Sequence, residues 1–275
     1  MLPELIQATC TALGVWGPAT EGNKLYHMRA LDWEPLAQVN QYPAIVMYQP
    51  TEAGSHNVAN IGYLGLIGSL TAISKHGISA GEKVMYVDDP TAYPVNPVSI
   101  TYFGKPWMFV LRDTVQFSNN MDDVMNTLRN TNRTMKLHLG WGSLPDNKFV
   151  GMHYAYNLLQ TFDDKNYTHN DETNHPQLDG TFYFDKMIQP SDNTCIGNIL
   201  KDTHGRITPE TLYQEIAGRH TTGDATVVVM DPEGQQVWVS WSEYNTTKCA
   251  YERSPIHVRL SEFWGEASEP FQFLQ

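Results

Sequence analysis

The stretch ATVVVMDPEGQQVWVSW, residues 225–241, narrows most sharply what this chain can become. Val227, Val228 and Val229 lead into Asp231-Pro232-Glu233-Gly234, and Val237, Trp238 and Val239 follow. Two β-favouring runs around a Pro- and Gly-containing turn specify an antiparallel hairpin. The figure recurs along the chain. CTALGVWG, PATEGNK and LYHMRALDW (10–33) read as strand, polar turn and strand. AIVMYQP (44–50) is a further strand, and residues 60–86 read as strand, turn at His76-Gly77, strand. MKLHLGWG (135–142) and FVGMHYAYNLL (149–159) form another hairpin. Helices are fewer. MDDVMNTLRN (121–130) spaces Met121, Val124, Met125 and Leu128 at helical intervals, with Asp early and Arg late. TPETLYQEIAG (208–218) has a Thr cap, Pro in the first turn and a closing Gly, the marks of a short helix. Antiparallel pairs with helices inserted between them define an α+β protein, its sheets covered by helices.

The 275 residues, 41% hydrophobic, suffice for one large core. No repeat, low-complexity tract or linker divides them, so a single domain is expected. No apolar run reaches the roughly 18 residues a membrane-spanning helix needs. MLPELIQAT lacks the basic start and long apolar stretch of a signal peptide. The net charge of −12 would repel phosphates, which argues against a nucleic-acid partner.

Three cysteines leave at least one thiol unpaired within the chain. Cys195 and Cys249, both in polar surroundings, either pair and leave Cys10 free or stand as separate thiols. Cys10 opens the first strand of a hairpin, a position with a special use. If the bond before it is cut, its α-amine, with an unperturbed pKa of about 8, sits beside its own thiol and can activate it. The returning strand carries Arg29 and Asp32. Residues three apart in a strand face opposite ways, so a shared site requires the strand to end near Leu31 and Asp32 to bend back.

Cys10-Thr11 followed by Arg29-x-x-Asp32-Trp33 resembles the cysteine N-terminal-nucleophile hydrolases, the group of acyl-CoA:isopenicillin N acyltransferase, bile salt and penicillin V hydrolases, acid ceramidase and N-acylethanolamine acid amidase. The likeness extends through GSLTAISKHGISAGEK (68–83), TNHP (173–176) and TTGDATVVVMDPEGQQVWVS (221–240). It implies a four-layer αββα sandwich of two antiparallel sheets, occupying residues 10–275, with residues 1–9 as the end of a propeptide. It implies Cys10 as nucleophile, its freed amine as base, Asp32 holding that amine, Arg29 favouring the thiolate, and Asn174 donating to the oxyanion. Glu82 and Arg219 are further candidates for the substrate or oxyanion site. The chain departs from the group at Ala30, where many relatives carry Asn, at Glu82, close to where the bile salt hydrolases carry Asn, and at Thr9, where Gly often precedes the cut bond. Self-cleavage between Thr9 and Cys10 would use the same chemistry as turnover.

The expected activity is hydrolysis or acyl transfer on a linear, non-peptide amide such as an N-acyl amine, through a thioester on Cys10. It calls for no metal or organic cofactor. An upstream propeptide chain retained after cleavage would be a partner. The rival readings are a catalytically silent protein of this fold that binds a lipid or a partner, and a phospholipase-like ester hydrolase. Sequons at Asn132, Asn166 and Asn245, together with the open Cys195–Cys249 pairing, lean towards a secretory or lysosomal protein whose targeting segment lies upstream of Met1. His169, Asp171, Glu172 and His175 mix metal-ligand types without a fixed helical spacing and read as a polar loop. The C-G-[SA]-C-[WY] signature of papain-like proteases is absent, and GYLGLIG (62–68) is not followed by the helix of a phosphate loop.

Overall fold

The structure, a computed structural model, describes residues 9–85, 101, 103–167, 171 and 173–265. In chain order its strands are β1 (Thr9–Val15), β2 (Tyr26–Asp32), β3 (Pro43–Tyr48), β4 (Val58–Tyr63), β5 (Thr71–Ser74), β6 (Ile78–Val84) and β7 (Leu137–Ser143). They continue with β8 (Lys148–Ala155), β9 (Leu158–Phe162), β10 (Thr181–Phe184), β11 (Thr226–Asp231), β12 (Gln236–Trp241) and β13 (Ile256–Arg259). The helices are α1 (Trp107–Phe117), α2 (Met121–Asn130) and α3 (Cys195–Thr203). A π-helical segment, Thr211–Ala217, runs into one α-helical turn, Gly218–His220.

The strands build two antiparallel sheets, one ordered β10-β1-β2-β11-β12-β13 and the other β3 to β9 in sequence. β1 lies across β6 and β7, so the hairpin that opens the chain faces the second sheet. Helices α1 and α2 cover the outer face of the seven-stranded sheet. Ile196 and Leu200 of α3 and Leu212 and Ile216 of the π-helical segment pack on Leu13, Met28, Val227 and Val229 of the other sheet. The layers are helix, sheet, sheet, helix, as the hairpin pattern and the resemblance imply.

Local chemistry accounts for these elements. In α2 the Asn120 side chain accepts a hydrogen bond from the Asp123 amide at 2.9 Å, and Asp122 and Asp123 lie in the first turn. Val124 and Leu128 are buried and Met121 and Met125 pack beside them, matching the expected face. The two sheets approach closely at glycines. A Cβ on Gly14 would strike Phe149, and one on Gly151 would strike Phe182. Three expectations are corrected. Residues 60–86 hold three strands, because Gly65 takes positive φ and turns the chain before β5. The 149–159 run divides into β8 and β9. The helix from Thr208 winds as a π-helix, with the Thr208 hydroxyl accepting from the Thr211 amide at 3.3 Å.

Candidate active site

β1 and β2 are joined at Val15–Tyr26 and end together at Thr9–Asp32. The register pairs Cys10 with Leu31 and Ala12 with Arg29. Cys10 and Arg29 thus lie on one face, diagonal to each other, and both point between the sheets. Arg29 Nη2 donates to Cys10 Sγ at 3.5 Å. The same guanidinium ion-pairs with Glu82 and donates through Nε to the Glu82 carbonyl at 3.2 Å. Cys10, Arg29 and Glu82 are all buried. Gly81 makes room for this, since a Cβ there would sit 2.8 Å from Arg29 Cγ.

The electrostatics differ from the sequence expectation. The Cys10 thiol is pushed up to about 12, by burial first and then by Glu82, against the pull of Arg29. Burial also pushes Glu82 up, against Arg29. In the uncleaved chain the thiol is therefore neutral, and Glu82 neutralises the cation expected to activate it. As an ion-paired carboxylate, Glu82 accepts hydrogen bonds and has no donor for an oxyanion.

Asp32 is the last residue of β2 rather than a residue bent back from its end. Its carboxylate takes the opposite side from Arg29, as strand alternation requires. Thr222 Oγ1 donates to Oδ2 at 2.7 Å, and the amides of Gly223 and Asp224 donate to Oδ1 at 2.6 Å and 3.4 Å. Thr11 Oγ1 shares a 2.8 Å hydrogen bond with Thr222 Oγ1, tying this cradle to β1. Thr221 and Gly223 both take positive φ to form the turn, and a side chain at Gly223 would also meet Val227. Burial pushes Asp32 up to about 6 despite these donors. Asp32 pairs in register with Thr9, so the carboxylate stands beside the Thr9–Cys10 bond. TTGD, noted in the sequence only as part of a likeness, supplies the cradle.

Other sequence candidates have partners of their own. The Asn174 amide and side chain both bond to Asp171, and its carbonyl accepts from the Tyr183 hydroxyl at 3.1 Å. These contacts hold Asn174 near α3, where a Cβ on Gly197 would sit 3.0 Å from its carbonyl. Arg219 is exposed and pairs with Glu215 at 3.1 Å on the helical surface. Cys195 and Cys249 are both free thiols, which corrects the pairing left open above. Cys195 opens α3, whereas Cys249 caps the short 3-10 helix Ala250–Glu252. Asn132, Asn166 and Asn245 are exposed. Of the mixed-ligand loop, His169 and Glu172 fall outside the described residues. Asp171 bonds the amides of Thr173 and Asn174, and His175 bonds the Tyr183 carbonyl.

Lys83, which sequence reasoning passed over, is buried at the end of β6. It interacts electrostatically with Cys10, Asp185, Asp32 and Glu82. One signal was available: a lysine two positions after Gly81 shares the face of a strand whose neighbours all read as core.

No family model matches the chain. It is 29% identical to Protein dcd1A of Dictyostelium discoideum over 286 residues, covering 97% of this chain and 62% of that protein. It is 32% identical to Protein dcd1B of the same organism over 255 residues, covering 89% and 48%. The chain thus spans about half to three fifths of these curated relatives. Among solved structures it is similar to the Caenorhabditis elegans ortholog of N-acylethanolamine-hydrolyzing acid amidase, with TM-score 0.58 and 13% identity over 90% of this chain and 100% of that one. A mutant of the conjugated bile acid hydrolase from Clostridium perfringens gives 0.54 and 10%, over 92% and 93%. Agrobacterium tumefaciens penicillin V acylase gives 0.54 and 11%, over 85% and 83%. The chain has the N-terminal-nucleophile hydrolase fold. Within that fold, Cys10 stands on the opening strand with Arg29 against its sulfur. Among the described residues no helix is long and apolar enough to cross a membrane.

Proposed function

We propose that this chain is a self-processing cysteine amidohydrolase or acyltransferase acting on linear, non-peptide amides of the N-acyl amine class. The observation that carries the proposal is Arg29 Nη2 at 3.5 Å from the sulfur of a residue whose preceding bond lies in register with a carboxylate. The fold shared with an acid amidase, a bile acid hydrolase and a penicillin acylase supports it. Cleavage of the Thr9–Cys10 bond frees an α-amine beside Asp32. That amine takes the thiol proton, and the thiolate attacks the substrate carbonyl. The leaving amine departs with the proton from the α-ammonium, and water or a second amine takes the acyl group from sulfur. Asn174 donates its side-chain amide to the oxyanion in this scheme. The exposed sequons support passage through the secretory pathway.

Intact-mass measurement and N-terminal sequencing test the scheme. Active protein starts at Cys10, and Cys10→Ala stays whole and loses amide hydrolysis by about 10⁴-fold or more. A chain that never loses Thr9 yet hydrolyses N-acyl amines at full rate overturns the mechanism. Preference for a matched ester lipid would favour the phospholipase-like reading. The buried neutral thiol favours one other reading, a silent member of this fold that binds a lipid or partner. A chain that stays whole and binds an N-acyl amine without turnover would establish it.

A further inference from the structure

Self-cleavage at Thr9–Cys10 needs a proton acceptor before the α-amine exists, because the Cys10 nitrogen is then an amide with no free lone pair for a proton. Arg29 cannot serve, since a guanidinium stays protonated. Glu82 is ion-paired to Arg29. The Asp32 carboxylate is held on the other side of the strand by Thr222, Gly223 and Asp224.

Lys83 is the remaining charged group that acts on the Cys10 thiol. Its β6 neighbour two residues back, Gly81, abuts Arg29 and His27 between the sheets, and alternation turns Lys83 to that same face. Its cross-strand partner is His138, whose ring lies 4.5 Å from that of Phe184, which in turn pairs with Ala12 of β1. The lysine is buried there, on the strand that packs against β1 and β2. Its ammonium donates to the Val84 carbonyl at 3.4 Å.

We propose that Lys83 is the base of the first cleavage, taking the Cys10 thiol proton and returning it to the leaving Cys10 nitrogen. The assignment rests on the reading of Cys10 as a self-releasing nucleophile. The thiolate forms a bond to the Thr9 carbonyl carbon, and the electron pair moves to oxygen. On collapse the carbon–nitrogen bond breaks, and the Lys83 ammonium hands its proton to that nitrogen. Water then splits the thioester to give the Thr9 carboxylate and the Cys10 thiol. The α-amine so formed replaces Lys83 as base in later turnovers. The ionisable groups that act on Lys83 are Cys10 on β1, Asp32 across β2 from it, Glu82 beside it on β6 and Asp185 just after β10; His138 is its partner on β7, and Arg29 lies against the Cys10 sulfur. Burial pushes the Lys83 ammonium below the usual lysine range, which favours the neutral amine a base requires.

The test follows first-order cleavage of freshly translated full chain by intact mass, from about pH 4 to about pH 9, in wild type, Lys83→Met and Lys83→Arg, with thermal melts alongside. Wild type should cleave faster as pH rises, along a single proton loss. Lys83→Met should be slower by about 100-fold or more. Lys83→Arg keeps the charge but cannot accept a proton, and should be comparably slow. Either variant cleaving within about threefold of wild type overturns the assignment, since general-base loss costs far more. Should both variants fail to fold, the wild-type profile decides: a single-proton rise supports the assignment and a flat profile overturns it. A wild-type chain that stays whole overturns both this assignment and the reading beneath it. A rapidly cleaving Lys83→Met overturns this assignment alone.

Discussion

The two ends of the β1–β2 hairpin are buried to a similar degree but filled with opposite chemistry. At the joined end, Leu25 packs with the aromatic rings of Trp16, Phe149, Phe162 and Phe182 in one hydrophobic cluster. Phe149 and Phe182 stack at 6.4 Å, and His27, driven down to about 3 by burial, is a neutral hydrogen-bonding partner of Ser79 at 2.9 Å. At the open end, Cys10, Arg29, Asp32, Glu82 and Lys83 are packed just as tightly. Burying an aromatic side chain stabilises a fold by about 1.5–3 kcal/mol, whereas burying an ion costs several kcal/mol unless it is paired. The joined end thus holds the hairpin in register. The open end tolerates its charges because each ion faces another or a set of donors.

That contrast is broken most severely at Arg29. Arg29→Met leaves Glu82 buried without its cation, and removing one partner of such a pair costs about 3–5 kcal/mol. The urea midpoint should fall accordingly, and self-cleavage should stop. Arg29→Met combined with Glu82→Leu should recover much of the stability and none of the cleavage, because it removes both charges together. If Arg29→Met alone proved as stable as wild type, the open end would not be an ionic cluster at all.

A smaller effect tests the sign of the charge cost. Asp32 is raised to about 6 in the folded chain, above the ordinary carboxylate value, so the folded state holds its proton more tightly than the unfolded chain does. Its contribution to stability is full below about pH 4 and is lost as pH rises through about 6, at most about 3 kcal/mol for a shift of this size. In uncleaved Cys10→Ala, urea unfolding should therefore show stability falling between about pH 4 and about pH 6, and Asp32→Asn should flatten that slope. Cleavage works against this shift, because an α-ammonium beside Asp32 favours its charged form. A mature chain should lose less stability over the same interval. An equal slope in both forms would mean that the terminus does not reach Asp32.

The frame of this arrangement is legible in the sequence because it is local. Alternation and turn residues locate β1, β2, β11 and β12, and the spacing of Val124 and Leu128 locates α2. What escapes is either short or assembled at a distance. β10 is four residues, Thr181–Phe184, too short for a period to register. α1 is apolar on more than one side, and a proline precedes it in place of a side-chain cap. In the site, strand alternation places Arg29 on the face of Cys10 and Asp32 on the other, and the structure keeps that alternation to the last residue. The expected bend at Leu31 assumed that one pocket must hold both side chains. Instead the Thr222–Asp224 turn comes to Asp32 from about 190 positions away in the sequence, a span no local pattern encodes. Lys83 escaped for the same reason, since its burial depends on how one sheet stacks on the other.

At the joined end the expected change is mechanical. Gly151→Ala places a methyl against the Phe182 ring, and such overpacking typically costs about 1–3 kcal/mol. The melting temperature should drop while the rate of self-cleavage, measured well below the melt, stays that of wild type. A change in the cleavage pH profile would show that the two ends are coupled.

The smallest effect is expected at Arg219, a charge outside both ends. Its guanidinium pairs with Glu215 one helical turn away, at 3.1 Å, with more than half of its side chain in solvent. Water and salt screen such a pair, which is worth about 0.5 kcal/mol or less. Arg219→Ala should therefore leave the melt nearly where it was and leave cleavage and amide hydrolysis untouched. The same arginine lies near Cys195, a thiol that burial raises and this cation lowers. Alkylation of Cys195 should slow slightly in the variant, because the thiolate loses a stabilising charge. If hydrolysis of an N-acyl amine falls about tenfold in Arg219→Ala while Cys195 alkylation is unchanged, the arginine leaves Glu215 when substrate binds. The open end would then recruit a charge from the helical layer.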